Sequence, residues 1–277
     1  MDSILNQELI SELQTILKTN TGQILVVNPS TKLITSLTNL LLTSPNPYPL
    51  RIISDESLIK ETIRNFATAS HLSELSSQGI LELRTATTLP RTESMLTSSH
   101  LVTFIAAGNS IVTLSTPSES LSNDVYLFYD DLWSQSVTFH MHTPPISDIK
   151  NSLDDRFGNS FKSDFIIALS SLYKLPSSQH LFDEIALSLL IAARNEVLLY
   201  DISRWAEDVG IASRATISRT KKFLEGANLI TTENIPVRSG RPRLRLCMAH
   251  QSLMECPVEN LLLTALELAS EKTSRKP

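Results

Sequence analysis

The apolar positions of the first 145 residues follow two different periods. Leu5, Leu9, Leu13 and Ile16 recur at helical spacing and predict an amphipathic helix over residues 3–18. GQILVV (22–27) is a short continuous apolar run, as expected of a buried strand. A helix is predicted over Thr31–Leu42, a break at PNPYP (45–49), a strand at LRIIS (50–54), a helix over Glu56–Ala69 and a strand at ILELR (80–84). Strands alternating with helices at this spacing predict an α/β sheet with parallel members. From residue 94 the period changes to two. SMLTS, HLVTFIA and SIVTLST lie within 94–116, and Gly108-Asn109 between the last two is a hairpin signal. A helix over Asp124–Ser134 and a strand at VTFHMHT (137–143) complete the pattern before Pro144-Pro145.

The second half reads differently. Residues 146–174 are helical in pattern. FDEIALSLLIAARN (182–195) sets Ile185, Leu189 and Ala192 on one face, broadened by Ala186, Leu190 and Ala193. EVLLY (196–200) fits one brief strand. Asp201 is placed to cap a helix over Ile202–Val209, which Gly210 ends. Ser213 is placed to cap a third helix, Arg214–Gly226. LITTENIPV (229–237) and the alternating RLRLCM (243–248) flank RSGRP (238–242), the pattern of a β-hairpin with a basic tip. Helix, short strand, helix, tight turn, helix and hairpin together predict a winged helix-turn-helix. PVENLLLTALELASEK (257–272) predicts a last amphipathic helix, suited to pack on its own domain or on a second subunit. The fold expected is an α/β N-terminal domain with a mixed sheet, followed by a C-terminal winged helix-turn-helix domain. The boundaries expected are 1–145 for the α/β domain, 146–180 for a helical connector, 181–250 for the winged helix and 251–277 for the last helix.

Charge sharpens this picture. The 277 residues carry a formal charge of -5, yet Gly210–Met248 holds eight bases against two acids. A basic island on an acidic chain is the footprint of a polyanion partner. Arg214, Thr216, Ser218 and Arg219 begin the third helix, the part of such a helix that enters a major groove and meets base edges. Ser213 joins them as its cap. Lys221 and Lys222 suit phosphates, with Lys221 reaching past Leu224. Arg238, Arg241 and Arg243 of the wing suit the backbone or minor groove. The partner expected is double-stranded DNA. One such helix contacts few base pairs, so a homodimer reading paired half-sites is expected. A winged helix that docks on another regulator without touching DNA is the alternative.

Other chemistry finds little support in the sequence. GxGxxG, Walker, HExxH and GxSxG motifs are absent, so no enzyme is expected. His140 and His142 share a strand face but lack a third ligand. Cys247, His250 and Cys256 do not have zinc-site spacing. No metal and no cofactor is expected. Two cysteines make no disulfide framework, and the longest apolar runs are too short to span a bilayer, so a cytoplasmic protein without membrane contact is expected. A small-molecule effector would lie beyond the carboxyl ends of the N-terminal strands, near Asn28, Ser30, Thr31, Ser54 and Arg84. Asn28, Ser30, Ser54 and Asp55 also read simply as helix caps.

One stretch is specific enough to suggest a family. NEVLLYDISRWAEDVGIASRATISRTKKFLE, followed by GRPRLRL, resembles the haloarchaeal transcriptional regulator TbsP family. The similarity extends to ILVVNPS (24–30) and TPPISDI (143–149), and so over nearly the whole chain. The resemblance implies a DNA-binding transcriptional regulator with an N-terminal α/β domain, linked to central sugar metabolism genes. Repression is the default expected for a lone winged-helix regulator. The chain departs from the strongly acidic, Ala-rich composition usual there, being rich in Ser, Thr and Asn.

Overall fold

The computed structural model describes residues 23–45, 47–107, 110–116, 118–172, 181–236 and 242–274. The helix expected over 3–18, the Gly108-Asn109 tip and the RSGR stretch of the wing lie outside them. The chain divides into two compact units between Pro145 and Ile146.

The first unit is built on a seven-stranded mixed sheet. Its strands are β1 (Ile24–Val27), β2 (Leu50–Ser54), β3 (Leu81–Thr85), β4 (Glu93–Leu96), β5 (Leu101–Ala107), β6 (Ser110–Thr116) and β7 (Val137–Thr138), in the order β6-β5-β4-β1-β2-β3-β7. β1, β2 and β3 are parallel, and β4 through β7 join antiparallel. All four residues of β1 are buried, as befits a central strand covered on both faces. Alternate residues serve the two faces. Ile24, Val26, Leu50, Ile52, Leu81 and Leu83 meet Leu33, Leu37 and Leu41 of α1 (Thr31–Thr43). Leu25, Val27, Ile53 and Leu96 meet Trp133 from the far side.

Three elements differ from expectation. The helix expected over Glu56–Ala69 is two helices, α2 (Glu56–Thr62) and α3 (Phe66–Ser77). Asn65 separates them because its side chain accepts from the Thr68 N–H and so starts a new helix. α4 (Glu119–Gln135) starts earlier than Asp124, where Ser118 accepts from the Leu121 N–H. VTFHMHT contributes only Val137–Thr138 to the sheet. The chain then leaves the ladder as Phe139 and Met141 turn into the core, so His140 and His142 stand exposed off any strand.

The second unit packs seven helices and a hairpin among its described residues. They are α5 (Ile146–Phe157), α6 (Asn159–Leu172), α7 (Glu184–Arg194), α8 (Leu199–Val209), α9 (Arg214–Gly226), β8 (Ile230–Ile235), β9 (Arg243–Met248), α10 (Gln251–Glu255) and α11 (Leu261–Ser274). Residues 186–193 of α7 are all buried, with Ser188 satisfied by the Glu184 carbonyl, so this helix is enclosed on every side and is the axle of the unit. Trp205 of α8 is fully buried. Its ring meets Phe157 and Phe165 edge-on, at 6.3 and 6.0 Å between centroids. Its indole N–H donates to the Ser152 hydroxyl at 3.0 Å. A buried indole keeps its donor satisfied in this way.

Candidate nucleic-acid interface

The helix-turn-helix is fixed by its backbone. Gly210 ends α8 with φ +83°, and the Gly210 and Ile211 N–H groups bond to the carbonyls of Glu207 and Ala206. This pair of bonds is the Schellman ending, which needs a left-handed residue. Ser213 then starts α9, its hydroxyl accepting from the Thr216 N–H at 3.2 Å. Ile217 and Leu224 face inward and are buried. Arg214, Ser218, Arg219 and Lys222 are exposed along the opposite side. One face of α9 therefore pays for burial with leucine and isoleucine while the other offers hydroxyls and cations to solvent.

The start of α8 differs from the sequence reading. α8 begins at Leu199, and Asp201 lies in its first turn instead of capping it. Residues 197 and 198 give only a minimal strand. Leu198 bridges Arg245, and the Leu246 N–H donates to the Val197 carbonyl at 3.0 Å. That contact ties the root of the wing, β8–β9, to the entrance of α8.

The cations of this surface are mostly engaged. Arg214 Nε lies 2.7 Å from a Glu207 carboxylate oxygen. Lys221 Nζ lies 2.8 Å from Glu225, which also accepts from Thr232, and the lysine side chain is only 14% exposed. The lysine expected to reach for phosphate is thus turned to its own helix. Arg219 Nε donates to the Ala215 carbonyl at 3.4 Å. The Ser213 and Thr216 hydroxyls are 3.0 Å apart. Arg243 stacks its guanidinium 5.5 Å from the Tyr200 ring centroid, and Arg245 pairs with Glu196 at 3.5 Å. Arg238 and Arg241 lie outside the described residues. Below α9, Asp208 joins Arg156 of α5 and Arg204, and the Arg156 hydrogen bond holds its carboxyl below the ordinary aspartate value.

Glu207 and Tyr200 are the neighbours that sequence reasoning missed. The readable signal for Glu207 was an acid in the last turn before Gly210, seven residues ahead of Arg214, across a turn short enough to bring them together. Tyr200 gave no such signal, because its pairing with Arg243 depends on the hairpin's path.

The residues expected near an effector are bonded to protein neighbours or buried. The Asn28 side chain donates to the Pro90 carbonyl at 2.6 Å. Ser30 caps α1 and donates to Glu93 at 2.9 Å. The Thr31 hydroxyl lies 3.1 Å from that of Thr62. Ser54 is fully buried. Arg84 bonds Glu82 and the Trp133 carbonyl and lies 4.8 Å from the Trp133 ring centroid. Among the described residues no group of three or more His, Cys, Asp and Glu is placed to hold a metal, and no helix is long and apolar enough to cross a membrane.

Comparison with known proteins agrees with this architecture. The family model for the N-terminal region of TbsP-like transcriptional regulators matches residues 1–144, and that for their C-terminal HTH domain matches residues 145–266. The chain belongs to the TbsP-like transcriptional regulators. No curated protein matches it. Among solved structures it is similar to TrmBL2, described as an archaeal chromatin protein with a novel mode of DNA binding, at 13% identity and a TM-score of 0.38. That match covers 49% of this chain and about half, 52%, of the other. The family assignment therefore rests on the two domain matches, and the winged unit with α9 and β8–β9 is the HTH domain of this TbsP-like chain.

Proposed function

We propose that the chain is a transcriptional regulator that binds double-stranded DNA in a sequence-specific manner through α9. The observation that carries this reading is the exposed face of that helix. Ser218 and Arg219 stand free of the core beside Lys222, on a helix whose start is presented by the Gly210 turn. Arg219 and Ser218, with Arg214 and Thr216 ahead of them, meet base edges in the major groove. Lys222 and Arg243 hold phosphates, and the wing lies along the backbone. Ser213 serves the site as the cap that fixes the helix start. The first unit dimerises the protein, senses a ligand, or does both. By family resemblance the genes controlled are those of central sugar metabolism, and repression is the default effect of a lone winged-helix regulator.

The test is recovery of DNA by the purified chain from fragmented host genome. A shared sequence motif among the bound fragments supports the reading. Binding without a motif reduces it to a nonspecific basic surface. No duplex binding at any salt replaces it with an adaptor that docks on another regulator.

A further inference from the structure

A cleft of about 730 Å³ opens in the first unit, beyond the carboxyl ends of β2 and β3. Its volume is in the range of small-molecule sites, and its place is where α/β sheets take ligands. One wall is the start of α2, with Asp55, Glu56 and Ser57. Another is the loop after β3, with Thr87 and Thr88. The end of α4, with Leu132, and the start of β7, with Val137, close the third side and add apolar surface.

Charge and hydrogen-bonding capacity define the occupant. Lys60 pairs with Glu56 at 2.7 Å, so those two charges offset one another. Asp55 accepts from the Ser57 N–H and hydroxyl, and those bonds hold its carboxyl below the ordinary range. One uncompensated negative charge therefore remains at the mouth. It also occupies the first N–H groups of α2, which would otherwise attract an anion. The exposed Thr87 and Thr88 hydroxyls have no protein partner among the described residues and offer donors and acceptors together. A ligand hydroxyl both donates and accepts and complements such a wall. A phosphate only accepts, and it would face Asp55 and Glu56 with Lys60 as the one opposing charge.

We infer that this cleft binds an uncharged polyol, with Thr87, Thr88 and Asp55 as its hydrogen-bonding partners and Leu132 and Val137 against its C–H faces. The inference deepens the sensing role proposed for the first unit. It keeps the ligand at the carboxyl ends of the strands but replaces the expected Asn28, Ser30, Thr31, Ser54 and Arg84, none of which lines the cleft, with the residues after β2 and β3.

The full chain is titrated calorimetrically with glycerol, mannitol and glucose, and with glucose 6-phosphate as the charged counterpart. Saturable binding of a neutral polyol, at least about tenfold tighter than the phosphate ester, is expected. The double variant Thr87→Val/Thr88→Val removes two exposed hydroxyls and is expected to weaken binding about tenfold or more with an unchanged melting temperature. Asp55→Ser keeps a helix cap but removes the charge, and is expected to narrow the discrimination against the ester. No binding of any neutral polyol, tighter binding of the ester, or an unaffected double variant each overturns the proposal. DNA binding is measured on the same preparations without polyol, so loss of this inference leaves the regulatory reading standing, and the reverse.

Discussion

Arg214, the first residue of the exposed α9 helix, is held 2.7 Å from Glu207 on the helix before it. The two residues lie on either side of the Gly210 turn that gives the motif its shape. In the proposed interface a carboxylate thus occupies a cation assigned to meet DNA. On the proposed reading, DNA binding exchanges the Glu207 partner for a DNA oxygen, and the exchange is favoured only where the rest of α9 also fits.

Removing that carboxylate should loosen the requirement. Glu207→Gln is expected to tighten binding to all duplexes by about two- to fivefold at low salt, since an exposed ion pair is worth about 0.2–1 kcal/mol. Nonspecific duplexes should gain at least as much as the preferred one. Fluorescence anisotropy with a recovered fragment and a scrambled control checks this. Weaker binding by the variant would mean that Glu207 only positions Arg214.

Arg219 and Lys222, two of the exposed cations on α9, should behave differently. Arg219→Ala is expected to cost about 1–3 kcal/mol on the preferred sequence and little on the control. Lys222→Ala should weaken both alike and flatten the salt slope. Competition binding with the two duplexes separates these outcomes.

The interior of the winged unit depends on Trp205. Trp205→Ala empties a fully buried site between Phe157 and Phe165 and leaves the Ser152 hydroxyl without its indole donor. A loss of about 3–5 kcal/mol is expected in urea unfolding. Gly210→Ala is a milder test. A Cβ there meets nothing within 4 Å, so the cost is the backbone strain of φ +83° alone, about 1–2 kcal/mol.

Acid should release the tie between α5 and α8. The Arg156 hydrogen bond lowers the Asp208 carboxyl below its ordinary value of 3.8, so the folded state favours the ionised form. Its stabilisation is present above that value and is lost as pH falls through the lower, folded one. Asp208→Asn should therefore destabilise the chain at neutral pH and reduce the stability lost on acidification. Chemical unfolding at neutral and acidic pH measures both effects.

Much of this was legible in the sequence, for identifiable reasons. The strands β1, β2 and β3 announced themselves as short apolar runs, and the Ser213 cap and the Gly210 stop are local backbone requirements. Local signals also failed where two readings competed. Asp201 looked like a cap, yet the pairing of residues 197 and 198 with β9 fixes the chain direction and lets α8 start at Leu199. Asn65 sat inside an apolar helical pattern, and its own side chain broke it. Alternation in VTFHMHT was real, but β3 offered a partner for only two residues. For the site, residue type and exposed face were readable on α9. The partners were legible unevenly: Glu225 follows Lys221 at i,i+4 and Glu207 faces Arg214 across a short turn, whereas the stacking of Arg243 on Tyr200 depends on the path of the hairpin, which no local spacing encodes.

The central claim is that α9 and the wing bind duplex DNA directly, and salt titration of the purified chain on its best genomic fragment tests it most directly. The account predicts a linear fall of log affinity with log salt, with a slope magnitude of about 5–9 for about 6–10 phosphates, reduced by about one in Lys222→Ala. Duplex affinity that is absent at every salt, or a slope unchanged by the Lys222 variant, would contradict it.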